Sequence, residues 1–418
     1  SIVEKGTTNA TSTDINGRYS LSVSNNDAVI VYSYVGYTSQ EMPVGSQSSI
    51  DVTLQTVNKL LDEVVVIGYG TVKRVNLGGA VSTTDARTFE SRPVANATSA
   101  LQGEVPGLTI IRGGGAPGEK PTIRVRDISS INGGSPLILI DGAEGDLSTI
   151  NPADIENVSV LKDGTAAIYG ARAADGVILI TTKNPSKSQK LKIAVDAYYS
   201  TKKPALIKKP ANLYQHALMA LEITDGSFPI EYTQDELKLI AEGSDLVLPV
   251  SNWGRWSGYP KFYKNQDWNK MIIGNGNLQN YNVSFTGGGE KYSYLLSLGY
   301  QREEGLPKFG TDNNKRYFVR AKSNIQLLKN LDYDLNLSYE ASSRNYSSAI
   351  SEGQNIWELI YKTRSWAPMY NPAGNFYTFE GFDNPAQVLE NGGESNLTSG
   401  NFTFNTSLKW NVVEGLNI

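Results

Sequence analysis

The sequence from Val158 to Lys183 reads Val-Ser-Val-Leu-Lys-Asp-Gly-Thr-Ala-Ala-Ile-Tyr-Gly-Ala-Arg-Ala-Ala-Asp-Gly-Val-Ile-Leu-Ile-Thr-Thr-Lys. The β-branched runs at its two ends predict strands, and the glycines between them predict a helical turn. Segments in which apolar and polar residues alternate follow from about residue 191 to the end of the sequence. A compact unit that leads directly into such strands suits a plug inside a β-barrel, so this stretch predicts a plugged barrel.

The composition of the 418 residues fits an all-β protein better than a soluble enzyme. Only 19% of the residues are charged, and 40 Gly and 23 Tyr are typical of a β-barrel with an aromatic belt. The net charge of −4 argues against a nucleic-acid partner, which would need a basic surface. Because the sequence contains no Cys, it offers no disulfide framework, thiolate zinc site or cysteine nucleophile.

The apolar runs of this sequence are short. None approaches the roughly 18–20 residues of a membrane-spanning helix, whereas a barrel strand crosses with only about ten alternating residues. The sequence has no signal-peptide pattern, Ile2 already lies in a strand-like segment, and Glu414–Ile418 predict a turn that enters another strand. We therefore expect the sequence to be a piece of a longer protein.

The alternation of polar and apolar residues is clearest in residues 317–326 and 332–342. Charged side chains occupy one face of each segment, and Phe318 is the exception in the polar row of the first. Strands of about ten residues with this pattern predict a barrel whose polar face lines a water-filled interior and whose apolar face meets lipid. The polar positions are Arg320, Lys322, Asn324, Gln326, Asp332, Asp334, Asn336, Ser338 and Glu340.

The lengths of the connections also alternate. Residues 287–290, 328–330 and 413–415 predict short turns, and residues 202–276, 302–315 and 343–400 predict long connections. Short turns on one side and long loops on the other are typical of outer-membrane barrels. Six or seven strands are predicted before Ile418, which make an open sheet that cannot close on itself. Within the long connections, Leu213–Glu222 and Ile356–Tyr361 predict helices.

Residues 1–55 predict a small β-sandwich. Asp14-Ile15-Asn16-Gly17 favours a hairpin turn, and Tyr19–Val23, Ala28–Tyr34 and Ile50–Leu54 favour strands. A generic immunoglobulin-like module of the same general fold is the alternative.

Residues 56–74 predict a linker that contains one distinctive segment. A run of four β-formers lies between an acidic pair and a glycine, so it favours an isolated strand. Such a strand is able to pair with the sheet edge of another protein, although a plain core strand is the alternative. The segment is Asp62, Glu63, Val64, Val65, Val66, Ile67 and Gly68.

Residues 75–185 are the predicted plug. A short helix is predicted at Asn96–Leu101, strands are predicted at Leu108–Arg112, Thr122–Asp127 and Pro136–Ile140, and Asn151 is predicted to cap a short helix. Two polar, glycine-rich loops, 113–120 and 127–134, are candidates to contact a substrate. The candidate residues are Arg112, Gly113, Gly114, Asp127, Ser129 and Asn132.

Residues suited to catalysis are nearly absent from the sequence. The single His216 has no cysteine or second histidine with which to build a triad or a zinc site, so we predict no catalytic residue and no metal site. Gly113–Lys120 differs from a phosphate-binding loop because Glu119 precedes the lysine and no Ser or Thr follows it. The sequence is therefore not expected to be an enzyme.

Several of these motifs resemble the SusC/RagA branch of TonB-dependent outer-membrane transporters. Leu161-Lys162-Asp163, Tyr169-Gly170-x-Arg172 and Gly176–Lys183 fall at the spacing of that family's plug terminus. The resemblance implies a periplasmic carboxypeptidase-D regulatory-like domain at 1–55 and a TonB box at residues 62–68 within the linker 56–74. It further implies a plug at 75–185 and, at 186–418, the first strands of a transmembrane barrel that is roughly 22-stranded in the family.

The resemblance also implies a function. It implies active import of oligomeric nutrients across the bacterial outer membrane, with glycans ranked ahead of oligopeptides. The energy comes from the proton-motive force through TonB, without a cofactor. The implied partners are TonB, a SusD-like surface lipoprotein that acts as a lid, membrane lipid and, as a dimer, a second transporter–lipoprotein pair. A surface adhesin that forms no pore is the alternative, while a passive porin leaves the plug and the linker strand unexplained.

Overall fold

The structure is a computed structural model of the chain. It describes residues 2–7, 9–14, 17–34, 37, 39–54, 64–67, 70–73, 81–85, 88, 92–125, 134–162, 165–205, 209–222, 232–245, 247–248, 261–348, 356–371, 373–378, 383–413 and 416–417. The chain divides into two compact units, which are described separately: residues 1–65 with 71–76, and residues 66–70 with 77–418.

The first unit contains a four-stranded antiparallel sheet in the order β2-β1-β3-β4. Its core is formed by Ile2, Ile30, Tyr32 and Val44. The predicted turn is present, since the backbone N–H of Gly17 donates to the carbonyl of Asp14 at 3.1 Å and Gly17 has a φ of 81°. The strands are β1 (Ile2–Glu4), β2 (Ala10–Thr11), β3 (Val29–Tyr32) and β4 (Gln40–Pro43).

Two predicted strands of this unit are not strands in the structure. Residues 19–23 and 50–54 join no sheet, and they contribute partly buried side chains to the core instead. The Tyr19 hydroxyl connects them, because it lies 3.0 Å from the carbonyl oxygen of Ile50 and 2.6 Å from the Tyr32 hydroxyl. Their β-forming side chains therefore pack against the core without a backbone ladder.

The plug is built on a five-stranded sheet in the order β11-β10-β13-β12-β7, in which only β10 and β13 are parallel. Alternate residues of the run Val177–Ile180 belong to different hydrophobic clusters, so this central strand is buried on both faces. The strands that follow the first unit's sheet are β5 (Val64–Ile67), β6 (Gly70–Lys73), β7 (Val81–Asp85), β8 (Leu108–Ile111), β9 (Thr122–Val125), β10 (Leu137–Ile140), β11 (Ala143–Glu144), β12 (Ile155–Leu161) and β13 (Val177–Thr182).

The stretch that predicted the plug has the predicted form. Strands β12 and β13 pair antiparallel, and a 3₁₀ segment at Ala167–Ala173 connects them, with a kink at Gly170 where φ is 72°. The predicted short helix spans Ala97–Ala100, and the Asn96 side chain caps it by accepting from the N–H of Ser99 at 2.8 Å. Asn151 caps a 3₁₀ turn at Pro152–Asp154, and another 3₁₀ turn spans Leu147–Thr149.

The C-terminal part forms a seven-stranded antiparallel sheet in the order β14-β17-β18-β19-β20-β21-β22, which agrees with the predicted six or seven strands. Strands β15 and β16 form a small separate sheet. The bounds are β14 (Lys192–Lys202), β15 (Val247–Leu248), β16 (Lys261–Phe262), β17 (Gly276–Gly288), β18 (Tyr292–Glu304), β19 (Asp312–Leu328), β20 (Leu331–Ser347), β21 (Glu394–Val413) and β22 (Leu416–Asn417).

This sheet has one apolar and one polar face, as the alternation predicts. In β18, Tyr292, Tyr294, Leu296 and Leu298 are exposed, and the serines between them are buried. The exposed face continues on neighbouring strands with large apolar side chains, and it has the chemistry of a lipid-facing surface. Its members include Tyr281, Tyr317, Val319, Tyr339, Phe402, Phe404 and Leu408.

Two predictions about the barrel are wrong. Strands β14 and β17 to β21 of the seven-stranded sheet have 11 to 20 residues instead of about ten. The predicted long connection 302–315 shrinks to residues 305–311, because β18 continues to Glu304 and β19 begins at Asp312. Charged residues at these strand ends look like loop residues in the sequence, yet they pair across the ladder, for example Arg302 with Lys315.

The two long connections, residues 203–275 and 348–393, fold together into one helical subdomain, which we call the cap. Its core contains the fully buried Tyr263, Trp268 and Trp366. Helix Gln234–Ala241 begins with a capping box between Thr233 and Glu236. The other helices are Leu213–Glu222, Trp268–Ile272, Ile356–Lys362 and Pro385–Asn391. In the part of the chain that the structure describes, no helix has the length and apolar character needed to cross a membrane.

Candidate functional site

The predicted linker strand lies in a hairpin. Val64–Ile67 form β5, which pairs with β6 in a two-stranded sheet, and no further described strand joins this sheet. Among the described strands, β5 and β6 thus each have a neighbour on one edge only. Asp62, Glu63 and Gly68 of the same predicted segment lie outside the described residues.

The first predicted substrate loop is closed around one of its own side chains. Arg112, Gly113 and Gly114 are exposed. The Glu119 carboxylate accepts hydrogen bonds from the backbone N–H groups of Gly114, Gly115 and Ala116 at 3.0, 2.7 and 3.2 Å. Three converging N–H groups form an anion-binding nest, and here the anion belongs to the chain itself.

This loop also contacts the barrel wall. The backbone N–H of Gly118 donates to the Glu303 carboxylate at 2.9 Å. Within the plug, Lys120 forms an ion pair with Asp146 at 2.6 Å. Gly118 has a φ of 71°, and a side chain there would meet Asn314 of β19 at 2.8 Å. The loop is thus a point of close approach between plug and wall. Asp127, Ser129 and Asn132 of the second predicted loop lie outside the described residues.

A buried charge cluster joins the end of β10 to strands β19 and β20. The Asp141 carboxylate lies 3.1 Å from the Lys322 ammonium and accepts from the Asn336 amide at 2.8 Å. Thr182 donates to the same carboxylate through its backbone N–H at 2.9 Å and its hydroxyl at 2.6 Å. Asp141 adopts a φ of 48°, which Asp tolerates better than most residues.

The charge cluster keeps the Asp141 carboxyl ionised. Burial alone would raise its pKa, but the positive charge of Lys322 and the hydrogen bonds from Thr182 outweigh burial and hold the pKa below its usual value. Lys322 also donates to the carbonyl of Thr182 at 3.2 Å and to the Asn184 amide oxygen at 2.8 Å. One wall lysine therefore contacts two segments at the base of the plug sheet.

Arg320 extends this cluster to the second plug carboxylate. Its Nε donates to Asp154 at 3.2 Å, and the hydroxyl of Ser297 on β18 donates to the same carboxylate at 2.5 Å. All three side chains are buried. Asp154 lies in the turn that Asn151 caps, and these bonds connect this turn to the wall.

Two more contacts hold the plug against the wall. Arg316 of β19 forms an ion pair with Glu340 at 3.1 Å and donates to the plug carbonyls of Ala95 and Ser148. The Asn151 amide donates to the Asn282 amide oxygen of β17 at 2.8 Å. Gly299 allows this approach, because a side chain there would lie 2.6 Å from the Asn151 amide nitrogen.

The expected water-filled face of the barrel wall is occupied by the plug at these positions. Arg316, Arg320, Lys322 and Glu340 are each 5–7% exposed. The alternation in the sequence identified the inward row correctly, but it does not reveal that this row contacts the plug. Phe318, the exception in that row, is buried, and the Arg316 guanidinium lies 4.6 Å above its ring.

A polar cavity of about 130 Å³ lies between the plug and the wall. Its lining combines plug residues Asn96, Gly118 and Ser148 with wall residues Arg316, Glu340 and Arg344. Arg316 lies near the start of β19 and Arg344 near the end of β20, at the end of the sheet from which the connection 348–393 leaves. The cavity is therefore on the side of the plug that faces the cap-forming connections.

His216 lies in the cap, away from the plug. Burial, together with the positive charge of Arg364, lowers the pKa of its imidazole, which favours the neutral form. Its ring packs edge-on against Tyr232 at 6.3 Å. Among the described residues, no group of three His, Cys, Asp or Glu side chains is arranged to hold a metal ion.

A barrel wall with an apolar outer face and a folded plug on its inner face defines a plugged outer-membrane β-barrel. Residues 73–177 match the TonB-dependent Receptor Plug Domain, and residues 1–66 match the CarboxypepD_reg-like domain. The chain thus contains the two domains that the sequence motifs indicate.

Similarity to known proteins extends beyond these domains. A TonB-dependent receptor of Formosa agariphila is 34% identical over 91% of this chain and 36% of its own length. The TonB-dependent receptor SusC of Bacteroides thetaiotaomicron is 34% identical over 76% of this chain and 29% of its own length. The RagAB peptide importer in its open-open state has the same fold, with a TM-score of 0.66 at 24% identity, covering 85% of this chain and 41% of that one.

The chain is homologous to SusC-like TonB-dependent receptors over most of its length. Members of this family are outer-membrane β-barrel proteins, which locates the chain in the bacterial outer membrane. The matched relatives are receptors and transporters, not enzymes. The chain spans about a third of the length of the curated relatives that it matches.

Proposed function

We propose that this chain is part of an active importer of oligomeric nutrients, which TonB energises from the proton-motive force without a cofactor. The observation that carries the proposal is the plug packed on the inward face of the barrel strands through Asp141, Asp154 and Asn151. A pore blocked in this way conducts only if the plug moves, so transport needs an input of mechanical work.

The linker strand supports a route for that work. A short strand with a free edge is able to pair with a strand of another protein, and the ladder of main-chain hydrogen bonds then carries tension along the chain. Val64–Ile67 form such a strand just before the plug. In this proposal residues 62–68 are the TonB box, and the domain that precedes them lies in the periplasm.

The cargo in this proposal is an oligosaccharide or an oligopeptide that enters from the side of the cap, with glycans ranked first. The resemblance of the sequence motifs to the SusC/RagA branch supports an oligomeric cargo, and a structure of the same fold is named as a peptide importer. We further propose a SusD-like lipoprotein as the external lid, and a dimer of two such transporter–lipoprotein pairs as the assembly.

The test is a change in β5 of the intact transporter. Val65→Pro removes a backbone N–H and prevents strand pairing, so uptake of the nutrient should fall to background while binding at the cell surface persists. Val65→Thr, which keeps the N–H and the strand preference, is the matched control and should retain uptake. Normal uptake by the proline variant would reject the assignment of the TonB box.

A further inference from the structure

The cavity between plug and wall is lined by six charged side chains, and five of them have partners within the protein. Glu119 accepts from three backbone N–H groups, Lys120 pairs with Asp146 at 2.6 Å, and Glu303 pairs with Lys202 at 2.7 Å. Arg316 and Glu340 pair with each other at 3.1 Å. Each of these five side chains therefore already has a partner within the protein.

Arg344 is the sixth charged residue, and it differs from the rest. It forms no ion pair with any residue that the structure describes, and its Nε atom is buried without a hydrogen-bond partner. Its guanidinium carbon lies 4.8 Å from the centre of the Tyr346 ring, in a cation–π contact. Asp312 acts on it only through longer-range electrostatics. A buried donor of a cation that lacks an acceptor is costly, so this position favours an anionic guest.

The rest of the lining fits a small polar guest. The hydroxyl of Ser148 is also buried without a hydrogen-bond partner, and Ser342, Ser399 and Asn401 complete a neutral polar wall. The cavity volume of about 130 Å³ is well below the roughly 300–1,000 Å³ of sites that enclose a whole small molecule. The cavity therefore accommodates one terminal group of a longer molecule.

We propose that this cavity binds a carboxylate group of the transported cargo, with Arg344 as its anchor. A planar carboxylate accepts two parallel hydrogen bonds from a guanidinium, whereas a neutral sugar or amide does not. The carboxylate belongs either to the C-terminus of a peptide or to a uronic acid of a glycan. The inference rests on the proposed function, since it takes the cargo to reach the plug from the side of the cap.

The test uses the intact, full-length transporter purified in detergent. It is incubated with a pool in which each oligomer occurs in an anionic and a neutral form: short peptides as free acids and as C-terminal amides, and oligogalacturonates as acids and as methyl esters. Mass spectrometry of the retained fraction gives the ratio of acid to neutral form. We expect this ratio to rise about tenfold over the pool for one of the two classes, which then identifies the source of the carboxylate.

Variants assign this preference to the arginine. Arg344→Gln should lower the ratio to about one, and Arg344→Lys should retain part of the preference. The matched control Arg302→Gln should leave it unchanged, because Arg302 pairs with Glu304 at 2.8 Å and does not line the cavity. Heat-dependent mobility on gels verifies that each variant forms a folded barrel.

The inference is overturned if the wild-type transporter retains both forms equally or retains neither above a blank. It is also overturned if the preference for the acid form survives Arg344→Gln. Uptake by the Val65→Pro variant is measured in parallel. If that variant loses uptake while the wild-type ratio is one, only the carboxylate inference fails. If it keeps uptake, the proposed function fails independently of any result on Arg344.

Discussion

The core of the cap and the interface between plug and wall are both buried, but their chemistry is opposite. The cap core is apolar and aromatic, with Tyr263, Trp268 and Trp366 fully buried. The plug meets the wall mainly through charged and amide groups, such as the contacts of Asp141 with Lys322 and Asn336. Both regions are well packed, yet separation from their neighbours would cost them very different amounts of free energy.

The two costs differ because water can replace the hydrogen bonds of the plug–wall interface but not the apolar contacts of the cap. Exposing apolar surface costs about 25 cal/mol per Å², and water offers no compensating contact. A hydrogen bond between two protein groups stabilises by only about 0.5–1.5 kcal/mol, because water hydrates both groups once they part. Opening the cap core is therefore costly, whereas water can replace the contacts that hold the plug against the wall.

The largest effect is expected in the cap core. Trp268→Ala leaves a large cavity and should lower the opening free energy of the cap by about 4 kcal/mol. Hydrogen exchange of the amides in helix Leu213–Glu222 measures this, and the plug strand Val177–Thr182 should exchange as before. Tyr370→Ala is the control at an exposed aromatic of the same subdomain, and it should change little. Unchanged exchange in the helix would contradict the role of this core.

A somewhat smaller effect is expected at the plug–wall interface. Asp141→Ala leaves Lys322 and Arg320 buried without this acceptor, and it should lower the opening free energy of β13 by about 3 kcal/mol. Asp141→Asn keeps the hydrogen-bonding shape and should cost less. Exchange of the β13 amides in both variants provides the measurement. An equal loss in the cap would show that the two regions are not independent.

The smallest effect is expected from pH. The pKa of Asp141 is lowered in the folded protein, so its contribution is complete above the unfolded value of about 3.9 and is lost as pH falls through the lower folded value. The opening free energy of β13, corrected for intrinsic exchange, should fall in this acid range, and Asp141→Asn should lack that component. Identical acid profiles for the wild type and Asp141→Asn would contradict this assignment.

Local patterns predicted much of the fold. Alternation identified the inward and outward rows of β19 and β20, because side chains on a strand alternate regardless of the rest of the protein. The helix Leu213–Glu222 was predicted with its observed bounds, and the form of residues 158–183 follows from its β-formers and glycines. These features depend on neighbours close in sequence.

The site depends on contacts that no local pattern records. Asp141 and Lys322 are 181 residues apart, and their pairing requires both the position of the plug and the register of β19. The cap core unites segments from two separate connections, so neither shows a complete hydrophobic pattern by itself. For the same reason, Arg302 and Asp312 were predicted to lie in a loop, although both lie in strands.

The Glu119 carboxylate that fills the nest of loop 113–120 makes this loop insensitive to small anions in the surrounding solution. A guest tethered to its host acts at an effective concentration in the millimolar range or above. Free phosphate, sulfate or acetate at lower concentrations does not compete for the same three N–H groups. The loop therefore keeps its shape whether the surroundings are rich or poor in small anions, and variation in their level does not alter the surface that it presents.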